Sequence, residues 1–170
     1  AMVAAEVEAE TLVILSNVDN ESFSGSNEKL QVAFDAVYTA EDIGSYKPAD
    51  ANFEYMLAKL ETLGIRKHEV LHTAQSLFHD HGPANRQGLA SCWIDRRHDR
   101  KGFGATMDPG ETPKVDFRFN SMAELARANT CPLAVRGRDL TELAELTRGI
   151  AGLGVTDLVI DTGARGLAAT

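Results

Sequence analysis

The sequence predicts an α/β protein with a mostly parallel sheet in a Rossmann-like three-layer α/β/α arrangement. Three observations carry that prediction. Short runs rich in Val, Ile and Leu recur along the chain, segments of helical periodicity lie between them, and the runs end in polar residues. Strands that alternate with helices of about 10–15 residues form βαβ units, whose strands lie parallel. A chain of 170 residues, 44% hydrophobic and 25% charged, has the composition of a folded domain and the length of one domain or one domain with an appended unit.

Thr11-Leu12-Val13-Ile14-Leu15 is a continuous apolar run closed by Ser16-Asn17, as expected of a parallel strand covered on both faces. Phe34 to Thr39 reads as a second strand. Between Asn52 and Leu63, Phe53, Met56, Leu57 and Leu60 fall at helical spacing, and Gly64 supplies the stop. Glu69 to Thr73 is a third strand, a helix is expected across Pro83 to Gly88, and Ala90 to Asp95 is a fourth strand. Residues 96–113 are rich in Gly, Pro and charge and read as loop. Ser121 can cap a short helix through Arg127. The rest forms a self-contained unit: strand Cys131 to Val135, a helix capped by Asp139 that runs to about Leu153 before Gly154, and strand Asp157 to Asp161. The expected division is 1–128 for a partial α/β core and 129–170 for an appended βαβ unit packed into the same sheet.

A net charge of −8 and a pI near 5.1 argue against nucleic acid or an anionic membrane as partner, because no stripe concentrates Lys and Arg. The Arg96-Arg97-His98-Asp99-Arg100-Lys101 run is short, contains an acid and reads as a solvated loop. No apolar run approaches the roughly 20 residues of a membrane-spanning helix, and the Ala/Glu-rich start lacks the basic region of a signal peptide. Cys92 and Cys131 have no CxxC spacing, so a reducing, cytoplasmic setting is the expectation. Ala1 ahead of Met2 has the look of a tag-cleavage remnant, as recombinant expression leaves.

Ligands of open parallel sheets bind beyond the carboxyl ends of the strands. Ser16 and Asn17, Thr39 to Asp42, His72 to Ser76, Asp95, Arg136 and Asp161 occupy those ends. Donors there can hold an anion, and a lysine set among carboxylates keeps them ionised. His72, His79 and His81 are close in sequence, but their spacing matches no recognised ligand pattern, so no metal site is expected.

The strings Leu15-Ser16-Asn17, Gly44-Ser45-Tyr46-Lys47-Pro48 and His72-Thr73-Ala74-Gln75-Ser76-Leu77-Phe78-His79-Asp80-His81, followed by Gly88-Leu89-Ala90, fall in an order and spacing that resemble the haloacid-dehalogenase (HAD) superfamily, closest to its 2-haloacid dehalogenase-like branch. The resemblance covers residues 12–127. It implies a Rossmann-like core in which a strand-end aspartate forms an ester intermediate that water hydrolyses. It also implies that Ser16 and Asn17 bind a substrate carboxylate or phosphate and that Lys47 neutralises charge beside the nucleophile. Ser76 and Asp80 would position water or, in phosphatase relatives, magnesium; no other cofactor is implied.

That family opens with an apolar strand ending in Asp-x-x-Gly-Thr, and no such string precedes Thr11. The strand belongs between those ending here at Ser16 and Thr73, so its absence predicts two unpaired inner edges. Residues 130–167 resemble a different parent, a βαβ piece of the corrinoid iron–sulfur protein large subunit, without its cluster-binding cysteines. Two partial parents in one chain suggest an engineered or recombined chimera. Three functions compete on this reading. The first is a scaffold without native activity. The second is a HAD-type hydrolase in which Asp161, in Asp161-Thr162-Gly163, stands in for the nucleophile. The third is a residual module that binds phosphate or another anion through Ser16, Asn17 and Lys47. A homodimer, or an oligomer that exchanges elements, is expected if the C-terminal strands do not fill the gap within one chain.

Overall fold

The computed structural model describes residues 11–30, 33–129, 133–136, 139–155 and 158–161. The elements in order are β1 (Val13–Ser16), α1 (Asn20–Leu30), β2 (Ala36–Thr39), α2 (Ala40–Ile43), α3 (Asp50–Thr62), β3 (Leu71–Ala74), α4 (Gly82–Arg86), β4 (Ala90–Ile94), β5 (Phe117–Phe119), α5 (Met122–Asn129), β6 (Leu133–Arg136), α6 (Leu140–Gly152) and β7 (Leu158–Asp161). The chain divides into two compact units, Ala1–Cys92 with Gly102–Asp116, and Trp93–Lys101 with Phe117–Thr170.

In the first unit β1 and β2 are parallel, in register from Val13 opposite Ala36 to Ser16 opposite Thr39. The described strands form three hydrogen-bonded sets: β1-β2, β3-β4-β5 and β6-β7. Strand β3 lies beside β4, which continues into the second unit, where β5 follows it. The core of the first unit is the inner face of α3: Phe53, Met56 and Leu60 close on Ala84 and Leu89, with Val13, Leu15, Tyr38 and Val70 packed against them. Helix α3 ends where Gly64, at φ +82°, turns the chain in a conformation that other residues avoid.

In the second unit β6 and β7 are parallel, with Val135 opposite Ile160 and Arg136 opposite Asp161. Asp139 caps α6, its Oδ1 accepting from the N–H groups of Thr141 and Glu142 at 2.9 Å each. Neither β6 nor β7 pairs with any other described strand.

The predicted elements are present with edges displaced by a few residues, and three features differ. Strand β3 starts at Leu71 rather than Glu69, because the Glu69 carboxylate turns back on the Arg66 backbone N–H at 2.7 Å and on its guanidinium, closing a short 3-10 turn over Lys67–Glu69. The helix expected from Pro83 is preceded by a π-helical turn, Leu77–His81. Helices α1 and α2 and strand β5 were not anticipated. Residues 131 and 132, predicted to begin β6, and residue 157, predicted to begin β7, lie outside the described residues.

Candidate functional site

The carboxyl ends of β1 and β3 carry the polar cluster of the first unit. Asn17, one residue beyond β1, holds the main chain of Lys47 at both ends: its Nδ2 donates to the Lys47 carbonyl at 2.8 Å, and its Oδ1 accepts from the Lys47 N–H at 2.6 Å. This clamp fixes the loop before α3, and the Lys47–Pro48 peptide is cis. The Lys47 side chain then runs inward, with only 10% of it exposed. Its Nζ donates to the Leu15 carbonyl at 2.8 Å and to Asp80 Oδ1 at 2.6 Å.

Asp80 lies in the π-helical turn after β3. Ser76 caps that turn, its Oγ accepting from the His79 N–H at 3.0 Å and lying 3.2 Å from His79 Nδ1. Such turns occur frequently at functional sites. Burial pushes the Asp80 carboxyl up, but the adjacent His72 imidazole and Lys47 ammonium outweigh it and hold the group at about 2. His72 Nε2 is 3.4 Å from Asp80 Oδ1 in a buried position without a properly formed hydrogen bond. His81, fully buried, directs Nε2 at the Ala74 carbonyl at 3.1 Å, and burial lowers its affinity for a proton. The rings of His72 and His81 lie 6.1 Å apart, and Phe53 packs on His72 at 5.1 Å.

Four of the six residues predicted for a site are therefore bonded into this cluster or cap its turn: Asn17, Lys47, Ser76 and Asp80. Ser16 ends β1, half-buried and opposite Thr39. Asp161 ends β7 in the second unit, and its side chain lies outside the described residues. The sequence places His72 at a strand end and gives His81 no role, whereas here both lie close to Asp80. The alternation along β3 is the sequence signal for one of them, since His72 and Ala74 share its inner face while Leu71 and Thr73 face out. No group of three His, Cys, Asp or Glu side chains among the described residues is arranged to hold a metal ion.

Chemically, the cluster is nearly self-contained. Asn17 spends both its amide groups on Lys47, Ser76 serves the turn, and the Lys47 charge is matched by Asp80. One ammonium N–H remains for a further acceptor, since Lys carries three. No described helix is long and apolar enough to cross a membrane.

The chain matches no protein-family model. Over 47 residues, 28% of its length, it is 53% identical to the corrinoid/iron-sulfur protein large subunit of Moorella thermoacetica, of which the match covers 10%. Solved structures that resemble it include the putative HAD-hydrolase YfnB from Bacillus subtilis, bound to magnesium (TM-score 0.55, 18% identity, 70% of this chain and 48% of that one). A HAD phosphatase from Thermococcus onnurineus matches with a TM-score of 0.52 at 23% identity, over 70% of this chain and 50% of that one. An L-2-haloacid dehalogenase matches with 0.54 at 20% identity, again over 70% and 50%. The chain thus spans about half the length of these structures. At such identities the likeness establishes the fold: a Rossmann-like α/β fold of the HAD type.

Proposed function

We propose that this chain is a chimeric α/β scaffold that combines a partial HAD-like core with a βαβ unit of corrinoid-protein type and has no hydrolase turnover of its own. The observation that carries this reading is the state of the Lys47 cluster. A hydrolase of the ester-intermediate kind needs a carboxylate free to attack and donors free to bind the substrate anion. Asp80, the one buried carboxylate in contact with Lys47, is held as its counter-ion, and the Asn17 amide is spent on the Lys47 main chain. The polar groups stabilise one another and act as a clasp between the carboxyl ends of β1 and β3. A HAD-like fold over 70% of the chain, together with 53% identity over 47 residues to an unrelated parent, supports the composite origin.

Magnesium does not fit this set. Mg²⁺ takes oxygen ligands, usually one or two carboxylates plus substrate phosphate. The cluster offers the Asp80 carboxylate, already bonded to an ammonium group 2.6 Å away. The reading therefore takes no cofactor.

The test is turnover. Halide release from 2-chloropropionate and phosphate release from p-nitrophenyl phosphate with Mg²⁺ are measured for the full chain and for Asp161→Asn. Both proteins should stay at the buffer rate. Turnover that Asp161→Asn abolishes would overturn the scaffold reading in favour of a hydrolase with a substitute nucleophile. A melting temperature that rises in about 10 mM phosphate, and no longer does so in Lys47→Met, would instead make the cluster an anion site.

A further inference from the structure

Strand β1 has β2 as a neighbour on one edge, and β3 has β4 on one edge; neither pairs with another described strand on the other. Which groups of β1 face its other edge follows from alternation, because successive residues of a strand direct their N–H and C=O to opposite edges. The Leu12 carbonyl accepts from the N–H of Asp35, at the entry to β2, at 2.9 Å, so it points toward β2. The main-chain groups of Val13 and Leu15 therefore point away from β2. The Leu15 carbonyl confirms this parity, since the Lys47 ammonium caps it from the other side while bonding Asp80, which lies just beyond β3. Lys47 and Asp80 thus link the edge of β1 that faces away from β2 to the segment beyond β3.

The exposure of β1 agrees. Its residues Val13, Ile14 and Leu15 are apolar, yet all stay only half-buried, and Leu12, just before β1, and Leu71, the first residue of β3, are 48% and 47% exposed. A parallel strand with neighbours on both edges would be buried. An edge of this kind is a template for another strand.

We propose that this edge takes β7 of a second copy of the chain, so that two chains exchange β7 reciprocally. Three features of β7 fit it. It has four residues, as β1 and β3 do. Its sequence, Leu158-Val159-Ile160-Asp161, is apolar up to a single acid at the carboxyl end. At that end of the edge Lys47, already paired with Asp80, keeps one ammonium N–H for a further acceptor, so an added acid finds a donor. Among the described strands β7 pairs only with β6. Between β1 and β3 it would exchange that one ladder for two. Reciprocal exchange closes the assembly as a two-fold dimer. This inference does not depend on whether the chain turns over any substrate.

The experiment is light scattering after size exclusion on the full chain, alone and with about tenfold excess of a synthetic peptide of residues 155–163. The expected mass is twice the 18.4 kDa of one chain, and the peptide should return it to one chain by taking the place of β7. The same peptide carrying Val159→Pro should leave the dimer intact, because proline cannot donate to the ladder. A chain that runs at 18.4 kDa at every concentration overturns the proposal. So does a dimer that the first peptide leaves intact, or one that the proline peptide also dissociates.

Discussion

The two parallel strand pairs of this molecule, β1 with β2 and β6 with β7, have the same length and connection type but are held by different means. The helix between β1 and β2 contributes little: α1, Asn-Glu-Ser-Phe-Ser-Gly-Ser-Asn-Glu-Lys-Leu, has no buried residue and half-buries only Phe23 and Asn27. Polar side chains secure that pair instead. Thr39, fully buried, donates to Asn20 Oδ1 at 2.8 Å, Asn20 bonds Asp42, and Lys47 caps the β1 carbonyl. The connection between β6 and β7 is the reverse. Helix α6 carries its own cap in Asp139 and buries Leu143, with Thr147 and Ile150 on the same stripe. One pair depends on tertiary hydrogen bonds and a buried charge, and the other on a locally well-formed amphipathic helix.

The most severe way to break that contrast is Lys47→Met. It leaves Asp80 buried without its counter-ion, and removing one partner of a buried pair costs about 3–5 kcal/mol. The probes of the two halves are separate, since the three tyrosines, Tyr38, Tyr46 and Tyr55, lie in the first unit and the single tryptophan, Trp93, in the second. Thermal unfolding followed by tyrosine signals should show the transition displaced far more than the tryptophan signal does. The double variant Lys47→Met/Asp80→Leu should recover most of the loss. A single variant that melts like the parent would mean that the pair contributes nothing to holding β1 against the π-helical turn.

The same contrast explains what could be read in advance. Helix α6 was legible because each local signal agrees: Asp139 as cap, apolar residues at helical spacing, Gly154 as stop at φ +89°. Helix α1 was not, because its composition of Ser, Asn, Gly and Glu is that of a loop; its start is set by Asp19 Oδ1 accepting from the Ser22 N–H at 2.6 Å, and by Asn20 donating to the carboxylates of Glu41 and Asp42, about 20 residues away in sequence. Within the site, Asn17, Lys47, Ser76 and Asp80 were found through motif spacing. The role of Asn17 as a clamp on the Lys47 main chain was not visible, because it depends on where two loops meet. Strand β5 escaped notice for a similar reason: three residues, Phe117–Phe119, have too short a period to register.

Acid should separate the two halves next. The buried His81 favours its neutral form, so its share of stability is complete above the ordinary histidine range and declines as pH falls below about 6.5. Asp80, held at about 2 against 3.8, contributes stability that is complete above its unfolded value and is lost as pH falls from about 4 through 2, on the order of 2 kcal/mol in total. The tyrosine-monitored melting temperature should therefore fall in two stages, and His81→Phe should remove the upper one. A profile flat from pH 7 to 5 in the parent would show that His81 is protonated as readily in the folded chain as in the unfolded one.

A smaller effect tests the other half. Asp139→Ala removes the cap of α6 and should cost about 1 kcal/mol, seen in the tryptophan signal and not in the tyrosine signal. Asp139→Asn, which keeps a side-chain oxygen for the Thr141 and Glu142 N–H groups, should recover most of it. Equal shifts in both signals would mean that the two units unfold together, and the contrast between them would then be one of local structure only.

The mildest change returns to α1. Gly25 lies inside that helix with open space around the position a Cβ would take. Alanine there meets no neighbour and restricts the unfolded chain, so Gly25→Ala should stabilise by about 0.5–1 kcal/mol. That gain is available only if α1 remains helical up to the unfolding transition. If the helix frays before the strands separate, the substitution changes helix content but leaves the transition in place. Comparing far-ultraviolet ellipticity with the tyrosine-monitored midpoint distinguishes the two: a rise in both makes α1 part of the cooperative fold, whereas a rise in ellipticity alone leaves β1 and β2 joined by their polar ties without it.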